Sequence, residues 1–187
     1  MRGTITLLQY EHGIIRQVTD VLSVMVKQGT LAKHQRQVTR IASFMDSYVT
    51  KMHHQVEERF LFKTAMAMSA DLAKGARALM DDHAKVNGLI SRLKQLSSRK
   101  QAFEDGTLAF VAKELVEAMT QHIRHEEDIY YPKVEEALSM EKDAELLMAI
   151  DEFTKAKFDR EFVRTSEDVA IKLQDEVLGP GYYQGIR

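Results

Sequence analysis

Four of the seven histidines in this 187-residue chain stand in a pattern with two glutamates that suits metal chemistry. His53-His54-Gln55-Val56-Glu57-Glu58 superposes on His122-Ile123-Arg124-His125-Glu126-Glu127, and Leu61-Phe62 then falls on Tyr130-Tyr131. Each copy is preceded by a lone histidine behind an acidic residue, Glu11-His12 and Asp82-His83. The separation is 41 residues from His12 to His53 and 39 from His83 to His122. A histidine and a glutamate four apart share one face of a helix, about 6 Å along its axis. One such pair is an ordinary surface contact worth a few tenths of a kcal/mol. The ordered set His12, His53, Glu57, His83, His122 and Glu126 is more specific. Imidazole and carboxylate together suit iron, manganese or zinc. One zinc ion needs only four ligands. Six on four segments point to two ions, with the carboxylates able to bridge and the imidazoles capping from either side.

The neighbours of these residues are read more blandly. The alignment with His122 and Glu126 selects His53 and Glu57 over His54 and Glu58. The latter pair sits about 100° round the helix, so it is placed behind the ligand face or in solvent. On that basis His54→Ala leaves metal content nearly unchanged. Glu11 and Asp82 are surface charges or carboxylates that orient an imidazole. Tyr130, four residues after Glu126, is a packed core tyrosine, with a place lining the site as the alternative.

Helices must carry these residues. Apolar positions recur at helical spacing through Ile5, Leu8, Ile15, Leu22 and Val26, which predicts a first helix over about 4–27 stopped at Gly29. A second runs from the early thirties to about Met66, and a third from about Leu72 to Leu96. A fourth opens at Asp105-Gly106-Thr107 and continues past Ile123. Pro132 removes a backbone donor inside that pattern, so a kink or break is expected near Tyr131. After about Met140 a further helix follows, extending past a bend to Leu178-Gly179, with a short Tyr182-Tyr183 tail. The fold class predicted is all-α: an antiparallel up-down-up-down four-helix bundle over residues 1–140, plus a C-terminal helical extension over 141–187. Counting residues from each corner puts Glu57, His83 and His122 at similar heights. A corner at Thr30 leaves His12 and His53 about 7 Å out of step, a mismatch removed if the second helix begins nearer His34.

Composition narrows the function. No cysteine is present, which excludes thiol catalysis, Cys-ligated iron–sulfur clusters and disulfide frameworks. The balance of 26 basic and 28 acidic residues argues against a nucleic-acid binder. No apolar run spans a membrane, and the N-terminal segment does not read as a signal peptide, so a cytoplasmic protein is expected.

The set His12, His53-x-x-x-Glu57, His83, His122-x-x-x-Glu126, with its trailing Phe and Tyr-Pro, resembles the hemerythrin-like domains of the HHE cation-binding type over about residues 5 to 138. The resemblance implies a pair of non-haem iron ions, with Glu57 and Glu126 bridging and the four histidines as terminal ligands. It also implies binding of, or response to, O2, NO or peroxide at an open metal position. Many members carry a second histidine four residues after the one matching His83, where this chain has Asn87. One iron then lacks an imidazole unless Asn87, water or Glu58 takes its place. A binding protein is the leading reading, with no catalytic residue nominated. Its rivals are an enzyme on the same site (a peroxidase, NO reductase or iron-donating repair protein), a helical signalling or interaction module, and a metal-free structural bundle. The apolar face of the C-terminal helix packs on the bundle or joins two copies as a homodimer.

Overall fold

The computed structural model describes residues 2–159 and 161–182. Among them every regular element is helical and there is no strand. Helix α1 (Gly3–Lys27) stops at Gly29, whose φ of 64° is a left-handed turn that glycine adopts without strain. A 3-10 turn (Leu31–His34) leads into α2, continuous over residues 35–68. This start beside His34 lengthens the first connection, which removes the height mismatch between His12 and His53. Helix α3 (Ala70–Ser97) follows after Ser69 alone, whose hydroxyl accepts the Leu72 N–H at 3.1 Å. A helical turn (Lys100–Glu104) then leads to α4, residues 107–137.

Helices α2 and α4 are not uniform. Met45–His53 and Glu57–Phe62 in α2, and Glu126–Tyr130 in α4, are wound as π-helix, with bonds from i to i+5. A wide turn begins at each glutamate of the repeat, Glu57 and Glu126. Of the kink or break expected near Tyr131, the break does not occur: the helix runs through, though its winding changes there from π to α. Pro132 falls in the first turn after the wide segment, where a missing N–H is least costly, and α4 stays helical to Ala137.

α1 contacts α2 and α4, and α3 contacts the same two, so the four close into a bundle around one core. Leu8, Ile15, Val18 and Leu22 of α1 have no exposed surface, and nor do Val49 and Val56 of α2 or Leu79 of α3. Burying a side chain of this kind stabilises by roughly 1.5–3 kcal/mol. His12 lies in the same stripe as Leu8 and Ile15, so the packing that forms α1 also carries its histidine inward.

The C-terminal extension is two helices, α5 (Met140–Lys157) and α6 (Phe162–Leu178), parted at Phe158. Both pack on α1. Their buried residues Leu146, Ile150, Ala170 and Leu173 face this chain's own bundle. Phe60 meets Phe153 at 5.5 Å, and Tyr48 meets Phe162 at 6.0 Å. Of the tail, residues 183–187 lie outside the described residues. No helix among the described residues is long and apolar enough to cross a membrane.

Helix α1 has no capping side chain at Arg2. Asp143, in the first turn of α5, provides one from 139 residues away: its carboxylate accepts the Gly3 N–H at 2.7 Å and the Thr4 N–H at 3.0 Å. Gly3 permits the approach, because a Cβ there would lie 2.6 Å from Leu147 Cδ1. Burial pushes the Asp143 carboxyl up, but the Thr4 and Gly3 donors outweigh it and hold it below its usual value. A carboxyl lowered on folding contributes stability above its unfolded pKa and loses it as the pH falls through the folded one. We expect Asp143→Ala to cost about 0.5–2 kcal/mol in denaturant unfolding at neutral pH. The difference from the parent should shrink below about pH 4. An equal difference at pH 7 and pH 3 would show that the carboxylate charge is not its source.

Candidate metal centre

The bundle gathers all six side chains selected by spacing. His12 on α1, His53 and Glu57 on α2, His83 on α3, and His122 and Glu126 on α4 are each 2% exposed or less. They form two overlapping groups, His12–His53–Glu57–Glu126 and Glu57–His83–His122–Glu126, with ligand atoms in each group within 4.8 Å of one another. Both carboxylates belong to both groups. Glu57 Oε2 lies 3.3 Å from His53 Nε2 and 3.3 Å from His83 Nε2. Glu126 Oε2 lies 3.2 Å from His12 Nε2 and 3.3 Å from His122 Nε2.

The outer edges of the imidazoles are fixed by a second set of carboxylates. The Nδ1–H of His53 donates to Glu11 at 2.7 Å, that of His12 to Glu127 at 2.9 Å, and that of His83 to Glu58 at 2.8 Å. An ionised carboxylate only accepts, so the proton sits on Nδ1 and Nε2 faces inward. Arg16 pairs with Glu127 behind His12. The doubled glutamates of the repeat thus divide their work. Glu57 and Glu126 turn into the cluster, while Glu58 and Glu127 reach back to an imidazole on a neighbouring helix. Asp82, the counterpart of Glu11, does not do the same. Its side chain is a methylene shorter and lies 3.8 Å from His125, while Nδ1 of His122 has no hydrogen-bond partner among the described residues.

Two residues that spacing did not select enter the site. His54 is neither solvated nor behind the cluster: it is fully buried, stacks on His83 at 3.7 Å, and joins His83 and His122 in a third group of ligand atoms within 4.8 Å. Tyr131 lies five residues after Glu126. Its hydroxyl donates to Glu57 and its ring stacks on His12 at 5.7 Å. In both places the wide turns change the angular step between residues, so a face drawn at 3.6 residues per turn misplaces them. Tyr130 is the packed core residue expected. Its hydroxyl donates to Leu72 O at 3.3 Å, and its ring fills the space beside Gly75, where a Cβ would come within 2.8 Å.

Burial alone would raise the Glu57 carboxyl, but the imidazoles of His53 and His83 hold it well below its usual value. Glu126 is lowered too, by His122, His12 and His83, against burial and the charge of Glu57. Burial opposes the charged form of His12, yet Glu126 and Glu127 raise it to about 9. His54 is pushed well below the usual imidazole value, first by burial and then by His83 and His53.

Glu57 Oε2, both oxygens of Glu126, Nε2 of His54 and His83, and both ring nitrogens of His122 are buried without a hydrogen-bond partner among the described residues. Each such atom costs about 1–3 kcal/mol. Lone pairs converging on a dry centre fit a cation, and nitrogen and oxygen donors without thiolate fit iron, manganese or zinc. The cluster can hold metal.

The comparisons with known proteins bear on the same segment. The family model of the hemerythrin HHE cation binding domain matches residues 3–134, which include all six clustered residues and stop before α5. No curated protein and no solved structure gives a significant match. With the model covering well over half of its length, the chain belongs to the hemerythrin HHE cation binding domain family.

Proposed function

We propose that this protein holds two non-haem iron ions at the centre of an antiparallel up-down-up-down bundle formed by residues 1–140. Glu57 and Glu126 bridge the ions. His12 and His53 cap one side, and His83 and His122 the other. Residues 141–187 are a C-terminal extension, whose helices α5 and α6 pack on α1. The supporting observation is that both buried carboxylates are shared between an imidazole pair from each half of the chain. Such a centre, when bound, supplies electrons to a small ligand such as O2, NO or peroxide.

The chain's own residues set the conditions for that chemistry. Glu11, Glu127 and Glu58 keep three Nε2 atoms turned inward. Phe62, 5.4 Å from His83, and Tyr131 wall the site with rings, which keeps water away. The Tyr131 hydroxyl holds a proton at Glu57: burial and the charges of Glu126 and Glu57 push its pKa well above the usual tyrosine value. The same hydroxyl, a hydrogen-bond donor beside the centre, also supports a second reading, reductive turnover of the same ligand as in a peroxidase or NO reductase. Consumption of a reductant under turnover conditions separates the two. Pairing of two copies through the C-terminal helices would use Met140, Met148 and Ile171, the large apolar residues exposed there.

We expect Glu57→Ala or Glu126→Ala to lose most of the bound metal, since each removes a ligand common to both ions. Metal analysis of the purified protein, with a visible spectrum recorded with and without O2, checks this. Full retention in both variants would end the proposal. Tyr131→Phe should keep the metal and shift the visible band of the oxidised protein. An unchanged band would mean the hydroxyl does not act on Glu57 once metal is bound.

A further inference from the structure

We propose that His54 is a seventh ligand, completing a set of three imidazoles with His83 and His122; this rests on the two-ion reading above. Three observations converge on it. First, its Nε2 is buried with no hydrogen-bond partner among the described residues, and a ring nitrogen of His54 lies within 4.8 Å of ligand atoms of His83 and His122. Second, its opposite edge is anchored as those of His12, His53 and His83 are. The Nδ1–H donates to Asn87 Oδ1 at 2.9 Å, and since that oxygen only accepts, the lone pair of His54 is on Nε2 and faces the cluster. Third, the rivals for the place are occupied. Asn87 Oδ1 also accepts the Thr50 hydroxyl at 2.9 Å, which uses both of its lone pairs, and Glu58 is engaged on the outer edge of His83.

A histidine buried only for packing does not need this arrangement. Burying an imidazole with one nitrogen unpaired is unfavourable, and a neutral apolar residue of similar size would fill the space better. The wide winding of α2 is what lets adjacent residues, His53 and His54, serve different groups: His53 belongs with His12, and His54 with His83 and His122. The consequence is an asymmetric centre. One side has three imidazoles and the other two. Asn87 is the positioning residue that turns His54 inward.

Anaerobic titration of the metal-free full chain with ferrous iron, read as bound equivalents and as the visible spectrum after oxidation, tests this. The parent should take up two equivalents. His54→Ala and His54→Gln should keep one and bind the other about tenfold more weakly or worse. Adding Asn87→His to His54→Ala should restore the second equivalent, because position 87 is four residues from His83 on the same helix face and already touches His54. Helical circular dichroism and melting of the metal-free variants separate ligand loss from unfolding, with His54→Gln preserving most of the volume. Two equivalents bound by His54→Gln with the parent's affinity and spectrum would overturn the assignment. A loss that Asn87→His fails to restore would do so as well. Glu57→Ala distinguishes the two levels: if it too retains both equivalents, the two-ion reading itself falls, whereas retention by the His54 variants alone removes only His54.

Discussion

Two carboxylates with no exposed surface, Glu57 and Glu126, face each other's imidazole partners at the middle of a helical bundle. An isolated carboxylate in such a place would take up a proton. Here the surrounding imidazoles hold both carboxyls below their usual value, and oxygens of both have no hydrogen-bond partner among the described residues. Much of the rest of the molecule answers to that constraint. One histidine arrives from each of four helices, carried inward on the apolar stripe that packs its helix. A second ring of acidic residues then fixes the imidazoles from behind. Family membership and geometry agree on the outcome, a buried centre for cations.

The scaffold serves the same end by departing from regular winding where regular winding would fail. The π turns of α2 and α4 begin at the repeated glutamates, so the two halves of the bundle share a backbone irregularity as well as a motif. Such turns expose fewer equivalent bonds per residue and persist where the surrounding packing holds them, often at functional positions. α5 and α6 lie outside the matched segment yet are bound into the fold. Asp143 caps α1, and Phe153 and Phe162 pack on Phe60 and Tyr48. The start of the first ligand-bearing helix therefore depends on a residue from the far end of the chain.

Much of this was legible in the amino-acid sequence, for identifiable reasons. Helix boundaries near Gly29, Ser69, Gly106 and Ser139 follow from local chemistry: left-handed glycines and hydroxyl caps. The six clustered residues were legible because two copies of one motif constrain each other's register. The doubled glutamates also carried a signal, since Glu58 and Glu127 repeat as faithfully as Glu57 and Glu126. Glu58 was placed behind the ligand face or in solvent, and it lies behind His83; that it reaches His83, and Glu127 His12, depends on packing. His54 was misplaced, and Tyr131 not selected, for a different reason. Their inward positions depend on the winding of the backbone, which periodicity assumes rather than reports. Pro132 marks the place where the winding changes without ending the helix, since it falls in the first turn after the wide segment. Asp143 was beyond reach altogether, because a cap supplied across 139 residues leaves no local trace.

Anomalous diffraction at the iron absorption edge, from crystals of the iron-loaded full chain, tests the central claim most directly. Two separate iron peaks are expected, each in contact with both Glu57 and Glu126. A single peak, or iron bound only at the surface with these two carboxylates bare, would contradict it.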